Sequence, residues 1–349
     1  MENNIVENIE PIKTVKFLFI RFSSIGDIVL TTPSIRCLKQ QFPNAEIHFL
    51  VKQQFKSVIE NNPYISNIIT LGDSWDVMLS EVHKTQYDYV IDLHKNIRSY
   101  RLIKTLNTKL TKVLSYKKLS FQKFLLTKLG VNFMPKTHIS VRCINALKPL
   151  GIADDGKGLD YYIADKDVIS NNDLPASHSF GFIAIVIGAS YFTKKLPVHK
   201  LQALCKAINY PIILVGAKEE IEEGNEIASI DDTRIYNACG KFNLNESADI
   251  VRRSKLVISH DTGLLYIACA FNKKVIAVWG GTSPKLAVEP FYGTGINASF
   301  MYKNKVVPNI SCQPCSNYGT KICPKKHFKC MELQDIELMA KDAVAMLKN

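Results

Sequence analysis

The first segment whose residues could carry out chemistry is Arg21-Phe-Ser-Ser-Ile-Gly-Asp27. It follows an apolar run and precedes a helical pattern. Gly26 permits a tight turn, and Asp27 lies where a helix start favours a capping carboxylate. A carboxylate at the mouth of a cleft can instead take a proton from a substrate hydroxyl. A helix N-terminus keeps that carboxylate ionised and makes it a weak base, so positioning would supply much of the catalysis.

A second strand-to-helix turn is Ser259-His-Asp-Thr-Gly-Leu264. Asp261, Thr262 and Gly263 would present backbone N–H groups, a hydroxyl and the positive end of a helix, which together suit a phosphate or diphosphate. Gly263 would let the phosphate approach the backbone closely. An ordinary capped helix start, with His260 as a bystander, is the alternative.

Three further side chains suit recognition of a nucleotide. Lys194 lies beside the turn that begins at Gly188. Its flexible ammonium can stay close to a phosphate as negative charge develops on it. Glu220 follows a predicted strand and would meet a ribose diol, and Phe242 would stack on a purine. Each is equally compatible with an unremarkable role: a solvated lysine, an acidic first helical turn and loop packing.

A basic segment runs from Asp92 to Arg98, where Lys95 and Arg98 share one helix face. The chain of 349 residues carries 44 Lys and Arg against 32 Asp and Glu, a formal charge of +12. Such a charge favours an anionic partner: nucleic acid, lipid headgroups or a phosphorylated substrate. No helix-turn-helix or aromatic-interleaved pattern supports nucleic acid.

Four cysteines lie close together near the C-terminus, with His327 among them: Cys312, Cys315, Cys323 and Cys330. Their spacing is not that of a paired CxxC zinc site. We therefore expect reduced thiols or redox-dependent bridging rather than a metal, and an effect on stability rather than chemistry, because these residues lie outside the motifs above.

The elements that position these motifs alternate short apolar runs with helical periodicity, which is typical of βαβ units in a parallel sheet. The predicted strands are Val15–Arg21, Glu46–Val51, Ile65–Leu71, Tyr87–Leu93, Phe182–Ile187, Pro211–Val215, Lys255–Ser259 and Lys274–Trp279. One helix is predicted from Ile28 to Phe42, and Ala164–Ser179 is the best linker.

The linker divides the chain into two doubly wound domains, residues 1–165 and 166–330, with a ligand cleft between them. Residues 331–349 form a final helix that is expected to pack back on the N-terminal domain. The first ten residues lack the basic start and apolar run of a secretory signal, and no run of ~18 apolar residues is present. We expect a cytoplasmic protein.

The sequence resembles glycosyltransferase family 9, the heptosyltransferases of the lipopolysaccharide inner core, in six motifs that occur in the family's order. They are RFSSIGDIVLTTP, DLHKNIRS, GASYFTKKLP, CGKFNLNE, SHDTGLLYIACAF and CQPCSNYG…CPKKHFKCM, between about Val15 and Met331. The resemblance implies a GT-B fold, in which two Rossmann-like parallel-sheet domains face a cleft, and an inverting transfer from an ADP-sugar.

Residue by residue, the resemblance makes Asp27 the general base and Lys194 the lysine that neutralises donor phosphate. The implied donor-binding residues are Ser190, Lys194, Glu220, Phe242, Asp261, Thr262 and Gly263. Gly26, Lys95 and Arg98 would face the acceptor. Tyr266 and His94 depart from a histidine and a glutamine frequent in the family, which leaves the sugar and the acceptor open. No cofactor or metal is needed, since cations and a helix dipole carry the phosphate charge.

The main hypothesis is transfer of heptose, or a related sugar, from an ADP-sugar to an anionic Kdo-containing lipid core. The acceptor would be held in peripheral contact with the cytoplasmic face of the inner membrane. One alternative keeps the fold and chemistry but uses a different nucleotide sugar. The other is a non-catalytic nucleic-acid-binding protein, which would need neither Asp27 nor the Asp261–Gly263 turn.

Overall fold

The N-terminal half of the protein contains five strands and six helices in the computed structural model, which describes residues 14–348. They are β1 (Lys16–Ile20), α1 (Ile25–Val29), α2 (Thr32–Gln41), β2 (Glu46–Lys52), β3 (Asn67–Leu71), α3 (Trp75–His83), β4 (Tyr89–Asp92), α4 (Ile97–Thr105), β5 (Lys112–Ser115), α5 (Ser120–Phe124) and α6 (Ile139–Ile144). The strands form one parallel sheet in the order β3-β2-β1-β4-β5.

The C-terminal half contains six strands and six helices within the described residues. They are β6 (Ile183–Val186), α7 (Val198–Ala207), β7 (Ile212–Val215), α8 (Ile221–Ala228), β8 (Ile235–Asn237), α9 (Leu244–Arg253), β9 (Leu256–His260), α10 (Gly263–Ala270), β10 (Val275–Val278), β11 (Tyr302–Lys305), α11 (Lys329–Glu332) and α12 (Ile336–Lys348). Their sheet is also parallel, in the order β11-β10-β9-β6-β7-β8.

Both sheets have the doubly wound order, so the strand order reverses beside β1 and beside β6. Ligands of such sheets bind outside the carboxyl ends of the strands at that reversal. The turns after β1, β6 and β9 carry Asp27, Lys194 and Asp261, respectively. The fold therefore brings the predicted chemistry to one edge of each sheet. None of the described helices is long and apolar enough to cross a membrane.

All eight predicted strands are present, whereas β5, β8 and β11 were not predicted from the sequence. Each of these three is an edge strand of four residues or fewer. Lys112–Ser115 is largely exposed, and three of the four residues of Tyr302–Lys305 are Lys or Asn, so neither has the continuous apolar run of a strand buried on both faces.

The helix predicted from Ile28 to Phe42 is interrupted. The structure has α1 and α2 with a break at Leu30 and Thr31, and Pro33 occupies the first turn of α2. Proline lacks an N–H and clashes with the preceding turn, so it is tolerated in a first turn but not in a helix interior. The break sets α1 apart as a short helix that contacts α10 of the C-terminal half.

The expectation that the final helix packs on the N-terminal domain is wrong. The apolar face of α12, formed by Met339, Ala340, Ala343 and Met346, belongs to the core of the C-terminal half. Lys305 on β11 pairs with Asp342 at 2.5 Å, and α12 contacts α7 and β9. The four core residues recur at helical spacing, so they must cover an apolar surface. The surface that they cover belongs to the C-terminal half, which precedes α12 along the chain. The domain boundaries at 165 and 330 stay predictions.

The two halves meet where α1 contacts α10. A Cβ atom at Gly26 would lie 2.7 Å from Cδ2 of Tyr266, and one at Gly263 would lie 2.4 Å from Cγ2 of Ile25. Gly263 was expected to make room for a phosphate, but its close neighbour in the structure is Ile25. Both glycines are therefore required for the approach of the two helix starts, and the buried core is continuous across this contact.

We expect Gly263→Val to destabilise the protein by about 1–3 kcal/mol, the usual cost of overpacking, because the new side chain overlaps Ile25. Ile25→Ala, which removes the nearest atom, should restore part of the loss. Urea denaturation of the single and double variants measures both effects. Gly72→Val is the matched control, since a Cβ there has nothing within 4 Å. Equal losses in the two glycine variants would exclude a specific contact.

Candidate active site in the cleft between the two sheets

A cavity of about 550 Å³ lies at the carboxyl edge of the C-terminal sheet. Five predicted donor-binding residues line it together: Ser190, Glu220, Phe242, Thr262 and Gly263. Its remaining walls are largely apolar, with Val186, Val215 and Leu244 among them. An apolar cavity with a few converging polar groups at the start of a helix suits a nucleotide with its phosphates on α10.

Glu220 is fixed before any ligand arrives. Its Oε2 accepts a hydrogen bond from the Ala217 backbone N–H at 2.9 Å, and Oε1 lies 3.2 Å from the Lys195 ammonium. The residue is 6% exposed. A buried carboxylate needs such partners to replace the water that it loses. The orientation leaves Glu220 on the cavity wall, where its remaining lone pairs can accept from a ligand hydroxyl.

A second cavity, of about 180 Å³, lies between the two halves. Gly26 and Asp27 line it from the N-terminal half, and Lys194, Asp261 and Tyr266 line it from the C-terminal half. Ser190, Thr262 and Gly263 border both cavities. A ligand whose nucleotide fills the first cavity would thus extend its other end into the second, beside Asp27.

Asp27 is held in place by charge and by backbone. Its Oδ1 lies 2.7 Å from Nη2 of Arg21, and its Oδ2 accepts from the backbone N–H and the hydroxyl of Ser24 at 3.3 and 3.2 Å. Burial alone would raise the pKa of Asp27, but the Arg21 charge and these hydrogen bonds outweigh it and lower the pKa. Asp27 is therefore an ionised, weakly basic carboxylate of fixed orientation.

Lys194 and Asp261 form an ion pair across the cavity floor, with 2.9 Å between Nζ and Oδ2. The Tyr266 hydroxyl has two acceptors for its one proton, Oδ1 of Asp261 at 3.0 Å and the Val288 carbonyl at 2.7 Å. This tyrosine thus holds Asp261 in place from the helix that follows the turn. A phosphate that binds here would meet Lys194 in a fixed position. It would compete with Asp261 for the positive charge of that lysine.

His260 connects the two motifs of the C-terminal half. Its Nε2 accepts a hydrogen bond from the Leu196 backbone N–H at 2.8 Å. Burial lowers the pKa of His260 to about 4, so the ring is neutral and Nε2 remains an acceptor. His260 is therefore a positioning residue for the Lys194 segment rather than the bystander considered from the sequence.

Several cleft residues were not singled out from the sequence. Lys123 and Tyr116 line the second cavity from the N-terminal half, and Asn317 and Tyr318 line it from the cysteine-rich segment. Burial, together with nearby Arg142, lowers the pKa of Lys123 to about 8. Lys123 stood among many lysines without a motif, and nothing in the sequence indicates that residues 317 and 318 return to the cleft.

Lys95 and Arg98, predicted to face the acceptor, do not join Asp27 in the cavity. Both are exposed. Arg98 lines a separate cavity beside Lys52 and Trp75, and the Lys95 carbonyl accepts from the Lys118 ammonium at 2.8 Å. Arg98 lies in α4, whereas Lys95 precedes that helix and has a left-handed backbone, so the two residues do not share the helix face that was predicted.

All nine cysteines lie within the described residues as free thiols. Cys312 Sγ is 3.7 Å from Nε2 of His327. Burial raises the pKa of Cys330 to about 12, and the neighbouring Cys315, Cys312 and Cys323 add to that rise. The four thiols therefore lie near one another. Within residues 14–348, the group whose ligand atoms approach closely enough for a metal is instead Cys37, Asp154 and Asp155, and Asp155 is paired with Arg36.

Two facing parallel sheets with a nucleotide-sized cavity define a GT-B fold, and comparisons with known proteins agree with this and add the enzyme class. The model of glycosyltransferase family 9 (heptosyltransferase) matches residues 78–322. Lipopolysaccharide heptosyltransferase 1 of Campylobacter coli is 26% identical over 294 residues, which are 77% of this chain and 84% of that protein.

Two solved structures share the fold. The glycosyltransferase family 9 protein of Veillonella parvula DSM 2008 has a TM-score of 0.74 at 20% identity, covering 96% of this chain and 97% of that one. The E. coli heptosyltransferase WaaC with ADP has a TM-score of 0.63 at 21% identity, covering 83% and 93%. This chain belongs to glycosyltransferase family 9, and it is a glycosyltransferase.

We expect Arg21→Gln to raise the pKa of Asp27, because the opposing charge is lost, and to move the acid limb of kcat/KM to higher pH. The pair's contribution to stability is present above the unfolded pKa of about 3.9 and disappears as pH falls through the lower folded value. Breaking it should cost about 3 kcal/mol at pH 7, and less on acidification.

The acid limb is measured from rate profiles between pH 4 and 8, and the loss of stability is measured by urea denaturation over the same range. Arg101→Gln, at an exposed arginine on α4, is the matched control. An acid limb that does not move in Arg21→Gln would contradict the assignment of Arg21 as the group that sets the Asp27 pKa.

Proposed function

We propose that this protein transfers heptose, or a related sugar, from an ADP-sugar to the lipopolysaccharide inner core with inversion at the sugar carbon. The observation that carries the proposal is the meeting of Asp27 with the Lys194–Asp261 pair in one cavity that adjoins a nucleotide-sized one. The names of the Campylobacter coli relative and of the ADP-bound E. coli structure support this choice of acceptor and donor.

In this proposal the ADP portion of the donor fills the cavity of about 550 Å³. Phe242 stacks beside the adenine and Glu220 accepts from the ribose hydroxyls. The diphosphate lies at Ser190, Thr262 and Gly263, where α10 begins and its first backbone N–H groups lack helical partners. Domains spanning 1–165 and 166–330 would then hold acceptor and donor, respectively.

The sugar reaches the second cavity and presents its anomeric carbon to the acceptor hydroxyl. Asp27 accepts the hydroxyl proton while the new C–O bond forms opposite the departing ADP. Because the pKa of Asp27 is lowered, proton transfer is favourable only as the hydroxyl becomes acidic late in bond formation, and positioning carries much of the rate. Lys194 neutralises the charge that grows on the leaving phosphate.

The acceptor side of the cleft is cationic. Arg21 and Lys123 line the cavity beside Asp27, and Gly26 borders it where α1 contacts Tyr266. Lys95 and Arg98, exposed on the same half, would contact outlying carboxylates or phosphates of the Kdo and lipid portion. This arrangement suits a cytoplasmic protein in peripheral contact with the inner membrane.

Asp27→Asn is expected to reduce turnover ~10²–10⁴-fold, because the amide cannot accept the hydroxyl proton, and to leave ADP affinity within about twofold. Single-turnover transfer to core glycolipid, followed by mass spectrometry, gives the rate, and titration calorimetry gives the affinity. Asp76→Asn, at an exposed first-turn position of α3, is the control. Turnover near that of the wild type would leave Asp27 as a helix cap.

Donor identity is tested by competition between ADP and UDP. We expect ADP to bind at least tenfold more tightly, since the proposed stacking and ribose contacts are arranged for an adenine nucleotide. Lys194→Ala should slow transfer more than it weakens ADP binding, because charge on the leaving group grows in the transition state. Tighter binding of UDP than of ADP would indicate that the donor is a different nucleotide sugar, while the proposed chemistry would stand.

A further inference from the structure

The cysteine-rich segment contributes a loop, residues 316–319, to the cleft. Beyond this loop the Thr320 backbone N–H donates to Oγ1 of Thr193 at 2.8 Å, and the Thr193 N–H donates to the Thr320 carbonyl at 3.2 Å. Where the loop begins, the backbone N–H groups of Cys315 and Ser316 both donate to the Gly281 carbonyl, at 3.0 and 3.2 Å. The loop is thus anchored on both sides to the C-terminal half, next to Lys194.

The loop also has an internal support. The Ser316 hydroxyl donates to the Gly319 carbonyl at 3.0 Å and accepts from the backbone N–H groups of Tyr318 and Gly319 at 3.1 Å each. Gly319 has a φ of +93°, and a Cβ there would lie 2.8 Å from Cβ of Tyr191 and 3.1 Å from Cγ of Lys194. A glycine is needed for the loop to close this tightly over the Lys194 segment.

Asn317 is the residue of this loop with unmet hydrogen-bonding capacity. Its Oδ1 is buried and has no hydrogen-bond partner among the described residues, and its side chain lines the cavity that contains Asp27 and Lys194. Buried polar atoms are normally paired, so an unpaired one that lines a cavity is free to bind a polar group of a ligand. A side-chain amide both accepts and donates, as a sugar hydroxyl requires.

The neighbouring residue locates the loop relative to the base. Tyr318 lines the same cavity, and its hydroxyl has a raised pKa because of desolvation and the negative charge of Asp27. The loop therefore runs from the Lys194 segment towards Asp27. It borders the space between the diphosphate and the base, which the sugar must occupy.

We propose that Asn317 binds a hydroxyl of the sugar being transferred, an inference that rests on the proposed function. The donor sugar is favoured over the acceptor because the loop's backbone hydrogen bonds go to Thr193 and Gly281, on the half that holds the diphosphate. Asn317 would distinguish the sugar attached to ADP, whereas Glu220 and Phe242 recognise the nucleotide alone.

The test compares ADP with ADP-heptose as ligands of the full-length protein, by titration calorimetry without acceptor. Loss of one net hydrogen bond corresponds to about 2–10-fold in affinity. Asn317→Ala should weaken ADP-heptose binding by that factor and leave ADP binding within twofold. Lys321→Ala, at an exposed residue just beyond the loop, should bind both ligands as the wild type does.

If Asn317→Ala retains the full gain in affinity that the sugar gives the wild type, Asn317 makes no sugar contact and the inference is overturned while the donor assignment stands. A wild type that gains no affinity from the heptose would overturn both. Should Asn317→Ala fail to fold, Asn317→Ser replaces it, because its short side chain cannot reach the same hydroxyl; selective loss of ADP-heptose binding supports the inference, and an unchanged gain overturns it.

Discussion

The close approach of Gly26 and Gly263 is the contact on which the cleft depends. Each glycine starts or lies within the first turn of a helix, and the residue it faces belongs to the other half: Tyr266 in one case and Ile25 in the other. Two helix starts that meet without side chains between them bring their polar ends to the same cavity. Asp27 and Asp261 become neighbours of one ligand for that reason, although 234 residues separate them along the chain.

The cleft holds its charges in pairs. Arg21 with Asp27, Lys194 with Asp261 and Lys195 with Glu220 are each within 3.2 Å. Buried charges without partners would be prohibitive, so the pairs allow the site to form before a substrate arrives. They also set its chemistry, because a carboxylate paired with arginine is a weak base and a lysine paired with aspartate must share its charge with an incoming phosphate. Such a site depends on substrate placement more than on intrinsic reactivity.

Much of this arrangement could be predicted from local sequence. Asp27, Ser190, Lys194, Asp261, Thr262 and Gly263 follow strands that read as continuous apolar runs, and parallel sheets collect such turns at one edge. Glu220 was placed in the same way, whereas Phe242 follows β8, which was not predicted, and its role beside the adenine came from the family resemblance. The strands missed were β5, β8 and β11. They lie at sheet edges, where a strand does not need a continuous apolar run. Asn317 and Tyr318 were also missed, because their return to the cleft is fixed by hydrogen bonds to Thr193 and Gly281, and long-range backbone pairing leaves no periodic signal. The position of α12 was mispredicted since its apolar face fits either sheet equally well on pattern alone.

Lys123 has a consequence of a different kind. An ammonium whose pKa lies at about 8 is partly an unprotonated amine at neutral pH, whereas ordinary lysines remain almost wholly protonated. The free amine is the nucleophilic form, so we expect acylating or aldehyde reagents to modify Lys123 faster than a solvated lysine. Because Lys123 lines the same cavity as Asp27, the cleft carries its own attachment point for a covalent reporter or a targeted inhibitor.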